Sequence, residues 1–293
     1  MISTTRKRLP SWLRRELPAS SAEKTHSTLS KYKLNTVCES ALCPNRTECY
    51  SRKTATFMIL GETCTRRCSF CAIDAGKPEE VSIDEPERVA KAARELGLQY
   101  VVITSVARDD MFDEGAEHFA KTIRAVFEEI PGAQVEVLTP DFHARRDCIS
   151  KIVDAAPTVY NHNLETVERL QRAVRPQAGY ARSLKVLEMV KELNPNMTTK
   201  SGIMLGLGET RDEVKVAARD LRASGVDILT LGQYLAPTKD HQAVVEFVSP
   251  DEFNSMAVEL KKLGFLEVFA GPYVRSSYHA GETFLNTINL NTD

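Results

Sequence analysis

The chain has 293 residues, enough for one large domain or two of ordinary size. Its 38 Lys and Arg nearly balance 40 Asp and Glu, which excludes the strong positive charge of a general nucleic-acid-binding protein. Hydrophobic residues at 42% and charged residues at 27% exclude the disordered and fibrous classes. No apolar run approaches the roughly 18–20 residues that span a bilayer, and the first residues lack the apolar core of a secretory signal. We therefore expect a cytoplasmic protein that contacts neither nucleic acid nor membrane.

The first 33 residues carry concentrated positive charge. They contain eight Lys or Arg and two Glu, so this basic arm is +6 and the other 260 residues are −8. A solvated arm and a docking arm for an acidic partner both fit this charge. A third alternative is an organellar transit peptide, which is rich in Arg and poor in acidic residues. Glu16, close to Arg14 and Arg15, speaks against that alternative.

Strand-like and helix-like segments alternate from residue 55 onward. Asp84–Leu96 and Glu114–Ile130 place apolar residues on one helix face, Ala181–Leu193 and Glu209–Ala223 follow, and Gly225 suits a helix end. Strand followed by helix, six times, predicts parallel β/α architecture. The six predicted strands are apolar and rich in β-branched residues: Thr56–Leu60, Tyr100–Val106, Val135–Thr139, Thr158–Asn161, Lys200–Leu205 and Asp227–Leu231.

This alternation fits either an open doubly wound sheet or a barrel. No G-x-G-x-x-G motif follows the first strand, and functional groups of a barrel gather at the carboxyl ends of its strands. Such groups follow the predicted strands at Cys64, Thr104, Thr139, Asn161 and Gln233. We therefore predict an α/β fold with a full or partial barrel at residues 55–264. Residues 1–54 form an N-terminal extension, and residues 265–293 form a C-terminal segment.

Six of the seven cysteines lie between Cys38 and Cys71, a clustering that predicts metal binding rather than a disulfide framework. Cys64, Cys68 and Cys71 form a C-x3-C-x2-C loop directly after the first strand. Three such thiolates can bind one face of an iron–sulfur cube and leave its fourth iron open. A zinc site with a distant fourth ligand is the alternative, but zinc usually takes paired C-x2-C units.

The other triad, C-x4-C-x5-C, is the first in the chain: it precedes the barrel and consists of Cys38, Cys43 and Cys49. Three more thiolates with no fourth cysteine nearby predict another cluster that is also one ligand short. The remaining cysteine, Cys148, lies in the helix-like stretch His143–Val153, where a lone cysteine is usually a small core residue.

The C-x3-C-x2-C loop, with Phe70 before its last cysteine, resembles the signature of the radical S-adenosylmethionine (SAM) superfamily. The resemblance implies a partial (β/α)6 TIM-like barrel of the radical SAM type. It also implies a 4Fe-4S cluster whose open iron binds SAM and which cleaves SAM to a 5′-deoxyadenosyl radical. Implied SAM contacts, each with a helix cap or surface ion pair as the alternative role, are Phe70, Thr104, Ser105, Asn161, Asn163, Glu165 and Arg175.

Both triads together with the C-terminal Arg275-Ser276-Ser277-Tyr278 resemble the lipoyl synthase family. The resemblance extends over nearly the whole chain and includes the stretches VCESALCPNRTEC, TSVARDD, NHNLETV and GQYLAP. It implies a sulfurtransferase that inserts two sulfur atoms at C6 and C8 of an octanoyl chain on a carrier-protein lysine. One departure is Asp113-Glu114-Gly115, where Glu stands in place of the expected Gly.

The same resemblance implies two 4Fe-4S clusters and SAM as cofactors. The auxiliary cluster, which supplies the sulfur, would be held by Cys38, Cys43, Cys49 and Ser277, with the adjacent Ser276 as the alternative ligand. No catalytic residue is expected beyond the cluster ligands. Implied partners are octanoylated lipoyl-carrier proteins, namely the glycine cleavage H protein and E2 subunits of 2-oxoacid dehydrogenases, and a low-potential donor such as ferredoxin or flavodoxin. Two alternatives stay open: another radical SAM enzyme with an auxiliary cluster, and a non-catalytic iron–sulfur or zinc protein.

Overall fold

The computed structural model of the protein describes residues 8–14, 22–52 and 54–281. Residues 1–7 and 15–21, which include much of the basic arm, therefore lie outside the described residues. The strands are β1 (Asn35–Thr36), β2 (Thr56–Ile59), β3 (Tyr100–Ser105), β4 (Gln134–Leu138), β5 (Val159–Asn161), β6 (Thr198–Leu205), β7 (Ile228–Gln233) and β8 (Glu267–Gly271). The α-helices are α1 (Glu23–Lys31), α2 (Val37–Ser40), α3 (Arg46–Ser51), α4 (Glu85–Leu96), α5 (Ala116–Glu129), α6 (Arg146–Asp154), α7 (Glu168–Val174), α8 (Tyr180–Leu193), α9 (Arg211–Ala223) and α10 (Pro250–Lys261).

The eight strands form one sheet in sequence order. Strand β1 is antiparallel to β2, and all neighbouring pairs from β2 to β8 are parallel. No pairing joins β8 to β1 in the part of the chain that the structure describes, so the barrel is open along one side. The α/β fold and its partial barrel are confirmed.

The six predicted strands correspond to β2 through β7, and the four predicted helices to α4, α5, α8 and α9. Two strands at the sheet edges were not predicted. Strand β1 has only two residues, too few for a periodic pattern, and β8 lies within the predicted C-terminal segment. The short α7 was missed for the same reason of length.

The hydrophobic core lies between the sheet and the surrounding helices. Val89 and Ala93 of α4 and Phe119 and Ile123 of α5 are buried there, which is the face that their helical spacing predicted. Cys148 of α6 is fully buried in the same core, as predicted for a lone cysteine. None of the helices in the described ranges has both the length and the hydropathy that a membrane span requires.

Candidate functional site

The C-x3-C-x2-C loop begins at a turn of unusual backbone conformation at the carboxyl end of β2. Leu60 has φ 71° and Gly61 has φ 98°. Residues other than glycine rarely adopt a positive φ like that of Leu60. The Leu60 N–H donates to Glu85 Oε2 at 2.9 Å, and the Leu60 carbonyl accepts from Arg108 Nη1 at 3.0 Å. His118 Nε2 lies 2.7 Å from the same Glu85 oxygen. Both backbone polar groups of Leu60, its N–H and its carbonyl, are therefore hydrogen-bonded. These bonds fix the turn that leads into the cysteine loop.

The thiols of this loop are partly buried and receive backbone hydrogen bonds. The Cys64 sulfur accepts from the N–H groups of Arg66 at 3.4 Å and Ala107 at 3.3 Å. Burial raises the pKa of Cys68 to about 11 and that of Cys71 to about 12. Because burial disfavours the free thiolates, iron that binds these sulfurs must displace their protons and supply the compensating positive charge.

The described thiols of neither cysteine triad form one compact group of ligand atoms. Among the described residues, one group of three metal-ligating side chains has all ligand atoms within 4.8 Å of one another, and it is Asp109, Glu114 and His143. A tetrahedral zinc with Zn–S bonds of about 2.3 Å requires sulfurs roughly 3.8 Å apart. The described thiols of each triad are spread more widely than that, which is compatible with the separate irons of a cluster.

Three of the expected SAM contacts lie together at the carboxyl ends of the strands. Asn163 Nδ2 donates to Glu165 Oε1 at 3.0 Å, and Arg175 Nη1 donates to the Asn163 carbonyl at 3.2 Å. Burial raises the pKa of Glu165, which has the left-handed φ of 68°, while the nearby Arg175 charge opposes that shift. Within the described residues, the buried Ser105 hydroxyl has no hydrogen-bond partner. An unpartnered buried donor at the end of β3 fits a site that receives a polar ligand group.

The other expected contacts have different surroundings. Asn161 is fully buried and donates to Glu136 Oε1 at 3.0 Å, where it joins a buried Glu136–Lys200 ion pair. Thr104 Oγ1 donates to the Leu138 carbonyl across the sheet at 2.9 Å. Phe70 packs against a small apolar cluster of Val174, Leu207 and Tyr234. Asn161 and Thr104 are thus engaged in the barrel wall, although sequence analysis grouped them with the residues at the mouth.

The first triad lies on two short helices and the loop between them, beside the open edge of the sheet. Cys38 is in α2 and Cys49 in α3, while the Cys43 N–H donates to the Cys38 carbonyl at 3.1 Å. The Thr36 hydroxyl caps α2, and β1 pairs with β2, which positions both helices against the barrel. Burial raises the pKa of Cys38 to about 11, and the neighbouring Cys43 contributes in the same direction.

The C-terminal tail connects this triad to the SAM-contact residues. The Ser276 hydroxyl donates to Asn163 Oδ1 at 2.8 Å, and the Arg275 charge lowers the pKa of Glu165 against the larger effect of burial. Two residues further on, the Tyr278 hydroxyl donates to Glu48 Oε1 of α3 at 2.9 Å. Residues 275–278 therefore lie between the two groups of candidate ligands. Their sequence does not indicate this placement, because Asn163 and Glu48 are far from them along the chain.

Glycines permit this close packing of the tail. A Cβ on Gly202 of β6 would lie 2.8 Å from Asn163 Oδ1 and 2.9 Å from the Ser276 hydroxyl. A Cβ on Gly232 of β7 would overlap the carbonyl oxygen of Val274. Any side chain at these two strand positions would push the tail out of the barrel.

Residues 58–221 match the family model of the radical SAM superfamily. The chain is 52% identical to "Lipoyl synthase 2" of Thermosynechococcus vestitus over 94% of this chain and 97% of that protein. It is equally similar, at 52% identity, to "Lipoyl synthase" of Rubrobacter xylanophilus, over 93% of this chain and 85% of that protein. The "Lipoyl synthase" of Caldicellulosiruptor bescii is also 52% identical, over 94% of each chain.

Solved structures share the fold at low sequence identity. Methylornithine synthase superimposes with a TM-score of 0.56 and 16% identity, over 72% of this chain and 63% of that chain. The hydrogenase maturase HydG gives a TM-score of 0.56 and 12% identity, over 83% of this chain and 62% of that chain. These likenesses agree with the partial barrel.

Proposed function

Because the chain belongs to the lipoyl synthase family of the radical SAM superfamily, we propose that it inserts two sulfur atoms, at C6 and C8, into an octanoyl chain on a carrier-protein lysine. The observation that carries this proposal is the tail at residues 275–278, which contacts both Asn163 and Glu48. Sulfur insertion requires the site of hydrogen abstraction and the sulfur source to face one substrate chain. A segment that contacts both the proposed SAM contact Asn163 and the helix that carries Cys49 supports that arrangement.

The residues of the second triad suit the SAM-binding cluster. Cys64, Cys68 and Cys71 would bind three irons, and Ser105, Asn163, Glu165 and Arg175 would contact SAM at the fourth. When bound, this cluster supplies the electron that cleaves SAM to a 5′-deoxyadenosyl radical. The Arg175 fork suits a carboxylate, and its Nη1 already orients the Asn163–Glu165 backbone through the carbonyls of Asn163 and Leu164. The protein's part is to orient the reactants and exclude water.

Cys38, Cys43, Cys49 and Ser277 would hold the auxiliary cluster that donates sulfur. Two contacts support Ser277 over its neighbour: Ser276 is engaged with Asn163, and Tyr278 is bonded to Glu48 on the helix that carries Cys49. A hard serine oxygen binds iron differently from a soft thiolate. We infer that it leaves more readily once protonated, which suits a cluster that is dismantled during turnover.

The partners follow from this function. The substrates would be octanoylated carriers, namely the glycine cleavage H protein and E2 subunits of 2-oxoacid dehydrogenases, and electrons would come from a ferredoxin or flavodoxin. The division into an N-terminal extension at residues 1–54, a barrel at 55–264 and a C-terminal segment from residue 265 assigns the auxiliary ligands to the two ends of the chain. The cytoplasm stays the predicted compartment.

The proposed function is tested on anaerobically prepared protein. We expect about eight irons per chain, the content of two 4Fe-4S clusters. Incubation with SAM, a strong reductant and an octanoylated lysyl peptide should give lipoyl peptide, identified by its mass. SAM cleavage without sulfur insertion would contradict this function and favour another radical SAM enzyme. Zinc, or a single cluster, would contradict the assignment of two sites.

A further inference from the structure

We propose that Arg66, between the first two cysteines of the C-x3-C-x2-C loop, is a positioning residue that raises the reduction potential of the SAM-binding cluster through backbone hydrogen bonds to Cys64. The inference rests on the proposed function, because it takes Cys64 as a ligand of that cluster.

The Arg66 guanidinium is buried and held by acidic groups from two different strand ends. Its Nε and Nη2 donate to Asp109 at 2.7–3.0 Å, and its Nη1 lies 2.7 Å from Asp141 Oδ1. Asp109 follows β3 and Asp141 follows β4, and the Arg66 side chain is only 6% exposed. Only a planar fork can bind two carboxylates in this manner.

Both carboxylates are themselves fixed. Asp141 is fully buried and accepts from the His143 N–H at 3.1 Å, and Arg182 Nη1 approaches its other oxygen at 3.3 Å. Asp109 accepts from the Thr65 hydroxyl at 2.9 Å. The Arg66 side chain is therefore tied to rigid parts of the barrel and not to a mobile surface.

This network fixes the two donors that face the Cys64 sulfur. One is the N–H of Arg66 itself, at 3.4 Å, and the other is the N–H of Ala107, at 3.3 Å. Ala107 is joined to the same loop, since its carbonyl accepts from the Thr65 N–H at 3.1 Å and from the Thr65 hydroxyl at 3.0 Å. Loss of the Arg66 fork would loosen residues 64–66 against residues 107–109 and lengthen both bonds to sulfur.

Reduction of a cluster adds negative charge to its irons and to their thiolate ligands. An N–H dipole directed at a ligand sulfur stabilises the reduced form more than the oxidised form, so it raises the reduction potential. The electron that cleaves SAM passes through this cluster. The Arg66 network would therefore set how strong a reductant is needed to start the reaction.

The test compares Arg66→Lys with Arg67→Lys by a redox titration followed by electron paramagnetic resonance. Both changes keep the positive charge, but only the first removes a fork that binds two carboxylates. No hydrogen bond or ion pair of the Arg67 guanidinium occurs among the described residues, and the bond from the Arg67 N–H to Gln177 is made by the backbone, which Lys retains. The signal of the SAM-binding cluster is identified by its response to added SAM. We expect Arg66→Lys to lower the equilibrium constant for one-electron reduction of this cluster by about tenfold, which corresponds to a reduction potential about 59 mV lower. Arg67→Lys should match the wild type.

Equal potentials in the two variants would overturn the inference. If Arg66→Lys assembles less iron than the wild type, Thr65→Val takes its place, because it removes the hydroxyl contacts of Thr65 to Asp109 and to the Ala107 carbonyl and leaves Arg66 intact. Thr65→Val should shift the potential in the same direction by less, and an unchanged potential would overturn the inference. The titration needs no octanoyl substrate, so its outcome is independent of the lipoyl product assay. A wild-type cluster that does not respond to SAM would contradict the proposed function and, with it, this inference.

Discussion

Ser276 and Ser277 are neighbours in the tail, yet their surroundings differ. The Ser276 hydroxyl donates to Asn163 Oδ1 at 2.8 Å, among the proposed SAM contacts. Ser277 precedes Tyr278, whose hydroxyl is bonded to Glu48 on α3. The sequence alone left both serines as alternatives for the auxiliary ligand, because adjacent residues share every pattern that a motif contains. The hydrogen bonds of Ser276 and of Tyr278 give the two positions different surroundings.

The two serines should therefore fail differently when replaced by alanine. Ser277→Ala should keep reductive SAM cleavage but lose sulfur insertion, since the proposed auxiliary cluster would lack a ligand. Ser276→Ala should keep both clusters and raise the KM for SAM by about 2- to 10-fold, the effect of one lost hydrogen bond. Iron content, deoxyadenosine yield and lipoyl product measure these outcomes. Loss of insertion in Ser276→Ala with full insertion in Ser277→Ala would exchange the two roles.

Cys38 and Cys148 form a second matched pair, because both are buried cysteines but only Cys38 belongs to a triad. Cys38→Ala should keep SAM cleavage and abolish sulfur insertion, because it would remove a ligand of the proposed auxiliary cluster alone. Cys148→Ala should keep about eight irons and both activities. It should also lose some stability, since a small cavity replaces the buried sulfur. Loss of SAM cleavage in Cys38→Ala would contradict separate roles for the two clusters.

Among the secondary elements, α9 has a complete capping box. The Thr210 hydroxyl accepts from the Glu213 N–H, and the Glu213 carboxylate accepts from the Thr210 N–H at 2.8 Å. Arg169 donates to the same carboxylate at 2.6 Å, and these contacts lower the pKa of Glu213 to about 2 from its ordinary 4.5. A depressed pKa means that Glu213 stabilises the fold above pH 4.5 and loses that effect as the pH falls toward 2.

Thr210→Ala should therefore destabilise the protein by about 1 kcal/mol, which lowers the melting temperature by about 2–4 °C. Glu213→Gln should also melt below the wild type at neutral pH. Its deficit should shrink as the pH falls, because the wild-type carboxylate becomes protonated. Thermal denaturation of both variants across the pH range measures this. If the melting temperature of Glu213→Gln stayed equally far below that of the wild type at acidic pH, the result would contradict the stabilising role of the ionised Glu213 carboxylate.

The strands β4 and β6 share a charged pair inside the barrel. Glu136 and Lys200 are both fully buried, with Lys200 Nζ 3.0 Å from Glu136 Oε1, and Tyr100 and Asn161 donate to the same carboxylate. Removal of either Glu136 or Lys200 leaves the other charge buried without an opposite charge beside it. Lys200→Met should therefore cost about 3–5 kcal/mol, whereas Lys200→Met with Glu136→Gln should recover most of that loss. Equal melting temperatures for the single and double variants would contradict this pairing.

The elements also show where prediction from sequence succeeds. The strands β2–β7 and the helices α4 and α5 are predicted by hydrophobic periodicity, which depends only on the residues of one segment. The site depends on contacts between distant segments, such as Arg66 with Asp141 or Ser276 with Asn163. The sequence does contain a pattern that indicates the contacts of Arg66. An Arg in the loop after one parallel strand and acidic residues after two others must all lie at the same end of the barrel. The partner of Ser276 had no such signal, since the route of the tail is decided by packing.

At the scale of the whole molecule, charge is divided between a basic arm and an acidic body. The first 33 residues are +6 and the remaining 260 are −8, although the net charge is only −2. Surface charge of this kind accelerates the encounter with a partner of opposite sign more than it strengthens the bound complex. A short octanoylated peptide lacks the acidic surface of a folded carrier domain. The arm should therefore matter for the carrier and not for the peptide.

Deletion of residues 1–8 removes Arg6, Lys7 and Arg8, three of the eight basic residues in the arm, and none of the proposed cluster ligands. We expect kcat/KM to fall on an acidic carrier protein and to stay near the wild-type value on an octanoylated lysyl peptide. The difference should diminish as salt is added, because ions screen charges separated by more than the Debye length of about 8 Å at physiological ionic strength. Replacing the same three residues by Gln keeps the length of the chain and should reproduce the effect of the deletion. An equal loss on carrier and peptide, or a loss that salt does not change, would mean that the charge of this segment does not steer the carrier.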